Sequence, residues 1–297
     1  MPNALHHLAA RFHLVKLHVT VQLQQATTLP DFKGSMWHGW LGHVLKAHDE
    51  HAFHILYHEH DQQQPKPYSI CPSGDHKTMW QKGELIECEL TLFGQACELA
   101  GTVTDAILQS VHCSHIGLGR DRSKYRVLAI ASHTPFGLRA GIHTHSLVQW
   151  LDTLPNASGI EQEVAMNLMT PMRVKRHGQI MKQPITEAVF WAQQCVRRLQ
   201  LLSRFWVCDE PALFEAIQDE LRLAQGVHSE GQAFIYFEDW QRYSLKQKEQ
   251  LPFGGMKGHI SFYGELYALL PFLKIGELLH IGGKTTFGLG KYQLIAG

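Results

Sequence analysis

The 297-residue chain has no Cys-x-x-Cys pair. Its six cysteines, Cys71, Cys88, Cys97, Cys113, Cys195 and Cys208, lie scattered along it. Scattered thiols argue against a zinc ribbon or a disulfide framework and fit a reducing compartment. No apolar run reaches the roughly 18 residues that a membrane helix needs. Met1 to Ala10 lacks the charged start and long apolar stretch of a signal peptide, so the expected compartment is the cytoplasm, with no membrane partner. An excess of one charge is missing too. The 27 basic residues equal the 27 acidic ones, which excludes coating a polyanion by bulk charge. With 44% apolar and 18% charged residues, the composition supports a packed core and not a disordered chain. Histidine is abundant, with 21 copies. Imidazoles titrate near neutrality, so affinity for an anion would rise as pH falls.

Periodicity gives the element order. Leu17, Val19, Val21 and Leu23 alternate with polar residues, as in a half-buried strand over Arg11 to Gln25. Gly34 to His48 has the spacing of an amphipathic helix, and Asp49 to Gln64 that of a loop with some helix. Glu84 to Phe93 alternates again, Cys97 to Ser110 is helical, and Tyr125 to Ala129 is a strand. Another strand fits near Tyr68. The pattern restarts after Leu151 to Gly159, a turn-rich candidate linker. Glu163 to Val174 is a strand, Thr186 to Phe205 a helix, and a second helix runs from Asp209-x-Pro211 to Gly226. Strands at Phe234 to Trp240 and His259 to Tyr263, a short helix at Glu265 to Leu273 and a last strand complete the chain. The expected class is α+β: two tandem ferredoxin-like (RRM-like, β-α-β-β-α-β) domains, residues 1–155 and 156–297.

Two local features point to a polyanion. Gly282-Gly283-Lys284-Thr285-Thr286-Phe287-Gly288-Leu289-Gly290 holds four glycines in nine residues, which lets backbone approach a ligand and present N–H groups to phosphate. A nucleotide-binding P-loop is excluded, because Leu278 occupies the position of its first glycine. A dinucleotide fingerprint is excluded as well, because no strand–turn–helix unit follows. No small-molecule cofactor is therefore expected. Between Pro171 and Trp206 lie Arg173, Lys175, Arg176, Lys182, Arg197, Arg198 and Arg204 against one acid, Glu187, a net charge of +6. In a neutral chain such a stretch reads as a groove for nucleic acid. Arg120, Arg122, Lys124 and Arg126, after Gly117-Leu118-Gly119, form a smaller basic group.

The segment Gly254 to Leu294 resembles the C-terminal signature of the CRISPR repeat-RNA endoribonucleases, the sixth Cas family of the RAMP superfamily. The matching text is Gly254-Gly255-Met256-Lys257-Gly258, Gly264-Glu265-Leu266, Pro271-Phe272-Leu273-Lys274-Ile275-Gly276-Glu277 and the glycine loop. Trp240-Gln241-Arg242-Tyr243-Ser244, Thr170-Pro171-Met172-Arg173 and Phe32 to Gly42 are similar to further parts of that family, as are Leu92-Phe93-Gly94, Gly117-Leu118-Gly119 and Tyr125-Arg126-Val127. The resemblance implies two ferredoxin-like domains side by side, RNA contact by the glycine loop, and a catalytic histidine in or near the first long helix. It implies CRISPR repeat RNA or its processed product as partner, with other Cas proteins of an effector complex as further partners.

RNA can be cut without a metal when its 2′-hydroxyl attacks the adjacent phosphate, a base takes the proton and an acid protonates the leaving oxygen. On a helical wheel, Trp37, Trp40, Leu41, Val44 and Leu45 form the apolar face of Gly34 to His48, with His38, Gly39, Gly42, His43 and Lys46 opposite. His38 and His43 are the candidate acid and base, and Lys46 the candidate phosphorane stabiliser. His48 lies on the apolar side and is expected to be structural. The expected RNA contacts are Arg173, Lys175, Arg176, Arg197, Arg198, Gly282, Gly283, Lys284, Thr285, Gly288 and Gly290. Two alternatives remain open: a non-catalytic RNA-binding subunit, and a metal-dependent nuclease built on His48, His51, His54, His58 and His60, where His54 and His58 have helical pair spacing. No metal site is expected from spacing alone.

Overall fold

A computed structural model describes residues 3–58, 64–74, 76–155, 161–183, 185–224, 229–239, 241–244 and 249–296. In the first half, α1 (Ala4–Arg11) leads into β1 (His13–Leu23), β2 (Thr27–Thr28), α2 (Gly34–His48) and α3 (Glu50–Tyr57). Then come β3 (Tyr68–Pro72), β4 (Met79–Trp80), β5 (Leu85–Phe93), α4 (Ala100–Gln109), β6 (Tyr125–Thr134), β7 (Gly137–Ala140), β8 (Thr144–Ser146) and α5 (Leu147–Leu151). The second half holds β9 (Gln162–Met172), β10 (Lys175–Arg176), β11 (Gln179–Ile180), α6 (Ala188–Trp206) and α7 (Pro211–Ala224). It continues with β12 (Ser229–Glu238), β13 (Gln241–Ser244), β14 (Glu249–Pro252), β15 (Gly255–Gly264), α8 (Leu270–Leu279) and β16 (Tyr292–Ala296).

The two principal sheets share one topology. Along the first, the strand order is β3-β5-β1-β6, extended by β7; along the second it is β12-β15-β9-β16. In both, the first strand of the unit lies between the third and the fourth, and every pairing is antiparallel. This is the ferredoxin-like arrangement, used twice. Alternation drives it: in β1, Leu17, Val19, Val21 and Leu23 are buried while their neighbours are half-exposed. The buried faces pack on α2 and α4 in the first unit, and on α6 and α8 in the second.

The cores interlock. Leu5, Leu8 and Phe12 from the amino end, with Leu147, Trp150 and Leu151 from α5, join the hydrophobic cluster of the second unit. Residues 156–159 of the candidate linker, and Gly226 at the expected end of α7, lie outside the described residues.

Several elements differ from the periodicity: α1 is absent from the expected order, and it takes up Arg11, where the first strand is expected to begin. Asp49 caps a helix, α3, by accepting a hydrogen bond from the Ala52 amide at 2.7 Å, so Glu50–Tyr57 is helical within the histidine-rich stretch expected to be a loop with some helix. The last helix starts at Leu270 and not at Glu265, because Pro271 suits the first turn of a helix and not its middle. β12 begins at Ser229, five residues before Phe234. All six cysteines are free thiols.

Candidate RNA interface

The glycine loop joins the two units. Gly34, the first residue of α2, lies so close to it that a Cβ there would stand 1.8 Å from the Phe287 carbonyl oxygen. Gly288, at φ +89°, packs on Pro72, and a Cβ would come within 2.6 Å of that ring. The His38 ring meets the Phe287 ring at a centroid distance of 4.0 Å. The histidine-bearing helix and the carboxyl-terminal loop are therefore one contiguous surface.

His38 is half-buried and held on several sides. Its Nδ1 lies 3.1 Å from the Tyr68 hydroxyl, and its carbonyl accepts a hydrogen bond from the Tyr57 hydroxyl at 2.6 Å. Burial raises the pKa of both phenols far above the ordinary tyrosine value, so both keep their protons. A phenol can donate to a neutral imidazole or accept from a charged one, so Tyr68 orients the ring in either state. Tyr57 and Tyr68 come from α3 and β3, and only the fold brings them to His38.

His43 points elsewhere. Five helical positions from His38, it opens into a cleft of about 600 Å³ together with His115, Arg120, Arg122 and the Gly117–Gly119 turn. Lys46 is exposed one turn further along α2. This cleft shares Pro30 and Ser35 with a second one, of about 470 Å³, between the two units. Lining the second cleft are Asp31 and His76 from the first unit and Lys257 and Glu238 from the second. There, His76 Nδ1 is 2.7 Å from Asp31 Oδ1, and Lys257 Nζ is 3.5 Å from His76 Nε2. Lys257 lies in the quoted Gly254–Gly258 signature, but its pairing with His76 could not be read from spacing, since the two lie 181 positions apart.

A third cleft, of about 550 Å³, gathers much of the basic stretch. Arg173, Lys175, Arg197 and Arg198 line it, with Arg204, Gly282 and Gly283. Arg198 donates to the Leu279 carbonyl at 3.3 Å and to Thr285 Oγ1 at 3.0 Å, and burial lowers its pKa to about 10, so it stays charged near neutrality. Arg173 donates to the Gly254 carbonyl at 2.8 Å. Arg176 is exposed on the β10–β11 hairpin and does not line this cleft. Lys284 stands over the Phe253 ring, 5.5 Å from its centroid. The loop's amides are more occupied than glycine content suggests. Gly283 N–H donates to the Arg173 carbonyl at 2.8 Å, Gly288 N–H to Thr285 at 3.0 Å and Gly290 N–H to Pro171 at 3.1 Å. The glycines serve close packing, and positive charge comes from the guanidinium groups beside them.

Among the described residues of the His48–His60 cluster, the rings of His54 and His58 stack at 4.6 Å; His60 lies outside them. The group of three possible metal ligands found among the described residues is a different one, His18, Glu89 and His133. Burial alone would raise the Glu89 carboxyl. The hydrogen bond from His133 and the charges of Lys16 and Lys291 hold it far below the ordinary range instead. Lys16 Nζ is 3.0 Å from Glu89 and His133 Nε2 also 3.0 Å, which makes this an ion-pair network across β1, β5 and β6.

Comparison with known proteins agrees with this architecture. Residues 166–292 match the model of the CRISPR-associated endoribonuclease Cas6 family, and residues 12–150 match one described as an N-terminal domain. No curated protein sequence matches the chain. Among solved structures, a Cas6 product complex superposes with a TM-score of 0.64 at 17% identity, over 95% of this chain and 100% of that one. A second Cas6 product complex gives 0.55 at 14% identity, over 95% and 99%. A partial Cas6-RT-Cas1–Cas2 complex gives 0.66 at 11% identity over 97% of this chain, which spans only 47% of that larger one. The fold is that of tandem ferredoxin-like proteins with a basic cleft beside a glycine loop. The carboxyl-terminal unit, through residues 166–292, is similar to the CRISPR-associated endoribonuclease Cas6 family, and the chain as a whole shares the fold of Cas6 structures.

Proposed function

We propose that this protein cuts CRISPR repeat RNA by attack of a 2′-hydroxyl on its own phosphate, leaving 5′-hydroxyl and 2′,3′-cyclic phosphate ends without a metal ion. The observation that carries the proposal is the contact between His38 and Phe287, which sets an oriented imidazole beside the loop that borders the basic cleft. Gly283 and Phe287 are four residues apart, so the cleft and the imidazole lie within about 14 Å of chain along the loop. RNA held by Arg173, Lys175, Arg197 and Arg198 passes the loop and presents a ribose to His38, the principal acid or base. Arg176 and Lys284 contribute contacts along the same path, and the loop glycines Gly282, Gly283, Gly288 and Gly290 support it by letting the loop pack closely beside the cleft. Lys46, exposed one turn beyond His43, is the proposed charge for a phosphorane held on that side of α2.

A second assignment has its own support. His43 shares its cleft with His115 and two arginines, a set suited to paired proton transfer at a phosphate. Incubating repeat RNA in EDTA with wild type, His38→Ala and His43→Ala separates the two. Cleavage in EDTA, lost when the scissile 2′-hydroxyl is replaced by hydrogen and lost in His38→Ala, is the expected result. Loss in His43→Ala alone moves the chemistry to the second cleft. A requirement for a divalent metal refutes the mechanism, and tight binding with no cleavage by wild type makes the protein a non-catalytic subunit. Other Cas proteins are proposed partners, since the chain is similar to one component of a larger Cas complex.

A further inference from the structure

The sheet of the second unit has one face covered by α6 and α8 and one face open. Val164, Met166, Ile260 and Phe262 point to the covered side and are fully buried. Open faces of antiparallel sheets normally carry polar side chains. Here Phe234 is 64% exposed, Tyr236 58% and Tyr263 56%. These rings sit on the two neighbouring strands β12 and β15. Phe234 is the register partner of His259, with ring centroids 5.0 Å apart, and Tyr236 is the partner of Lys257. Leaving rings this size in water costs apolar burial that ordinary surface positions do not forgo, so such a patch marks a binding surface.

We infer that this open face is a base-stacking platform for single-stranded RNA, with Phe234, Tyr236 and His259 as its stacking surfaces. The inference rests on the RNA-cutting function proposed above and extends it to unpaired nucleotides outside the basic cleft. Three features favour RNA over an apolar protein surface. The patch is aromatic and imidazole in character, and flat rings accept any base because every base has a π-face. Phe234 and Tyr236, two residues apart on one strand, stand roughly 6.6 Å apart, which leaves room for a separate base on each. The platform also runs into the cleft between the units, because Lys257, beside Tyr236, lines that cleft with His76. An RNA strand leaving that cleft meets a lysine first and aromatic rings next, the usual pairing of backbone charge with stacking.

The test uses the full chain and a short unstructured RNA with 2-aminopurine at one position. Stacking quenches 2-aminopurine fluorescence, so the expected result is quenching by wild type, with affinity falling about tenfold for each ring removed in Phe234→Ala and Tyr236→Ala. Tyr236→Phe should retain the affinity, because stacking needs the ring and not the hydroxyl. Photocrosslinking of a 4-thiouridine-bearing RNA to wild type, mapped by mass spectrometry to β12 or β15, reads the same contact without any substitution. Wild type that binds repeat RNA but neither quenches the short RNA nor crosslinks through these strands overturns the platform and spares the function. Wild type that binds no RNA at all overturns both. Alanine variants that bind as tightly as wild type overturn the platform, as does a wild-type dimer in sedimentation that Phe234→Ala dissociates.

Discussion

Arg197 and Arg198 are neighbours in sequence and differ in what the fold asks of them, which makes the pair a sharp test of the basic cleft. Arg197 is exposed, whereas Arg198 is half-buried and donates to Leu279 and Thr285. Removing Arg197 should change stability by no more than about 0.5 kcal/mol, as for most surface sites. Removing Arg198 strands a helix-end carbonyl and a loop hydroxyl and should cost about 1–3 kcal/mol. That corresponds to a fall in Tm of roughly 2–6 °C for a chain of this size. Binding should respond differently. Each phosphate neutralised on single-stranded RNA contributes about 0.7 to the slope of log affinity against log salt. If Arg173, Lys175, Arg197 and Arg198 each hold one phosphate, the cleft supplies a slope of roughly 2.8, and Arg197→Ala lowers it by about 0.7. Between about 50 mM and 200 mM salt, that variant should then lose roughly threefold less affinity than wild type does. Fluorescence anisotropy with labelled repeat RNA across that salt range, beside thermal denaturation of both variants, gives every number. An unchanged salt slope in Arg197→Ala would show that Arg197 holds no phosphate, and an unchanged slope in Lys175→Ala as well would refute the cleft as the RNA path. An unchanged Tm in Arg198→Ala would show that its two hydrogen bonds do not form in solution.

Further outcomes follow from the same contacts. Gly34→Ala should destabilise the protein by about 1–3 kcal/mol or more, because its Cβ would meet the Phe287 backbone and not a yielding side chain; calorimetry reads this. Tyr68→Phe should leave repeat-RNA affinity in place but slow cleavage by about 10- to 100-fold, since it frees the His38 ring to rotate; single-turnover rates at saturating protein separate the two. Glu89→Gln should cost about 3 kcal/mol at neutral pH by leaving Lys16 and His133 without their partner. The Glu89 carboxyl is depressed in the folded state, so its stabilisation is complete above the unfolded value of about 4.3 and is lost as pH falls toward the folded one. The gap between wild type and variant in denaturant titrations should therefore narrow only below about pH 4.

Some of this was legible in the chain alone, because it is written in short-range patterns. Period-two alternation in β1 and β5 and the helical spacing of α2 and α6 follow from backbone geometry, and their order implies two ferredoxin-like units. The glycine loop and the basic stretch are likewise visible as composition. Tertiary structure decided what those features do. It assigned the loop's Gly283, Gly288 and Gly290 amides to the protein's own carbonyls, so the glycines act in packing, which only the neighbouring chain segments reveal. It turned His38 toward Tyr68 and Phe287 and His43 toward His115, a division that a helical wheel cannot make because the wheel shows no neighbours. It brought Asp31, His76 and Lys257 together across the two units, and placed α1 in the core of the second unit. Local patterns fix elements because φ, ψ and side-chain period are local. Sites that join residues far apart in sequence depend on how the buried faces of those elements meet, and that is settled only when the whole chain packs.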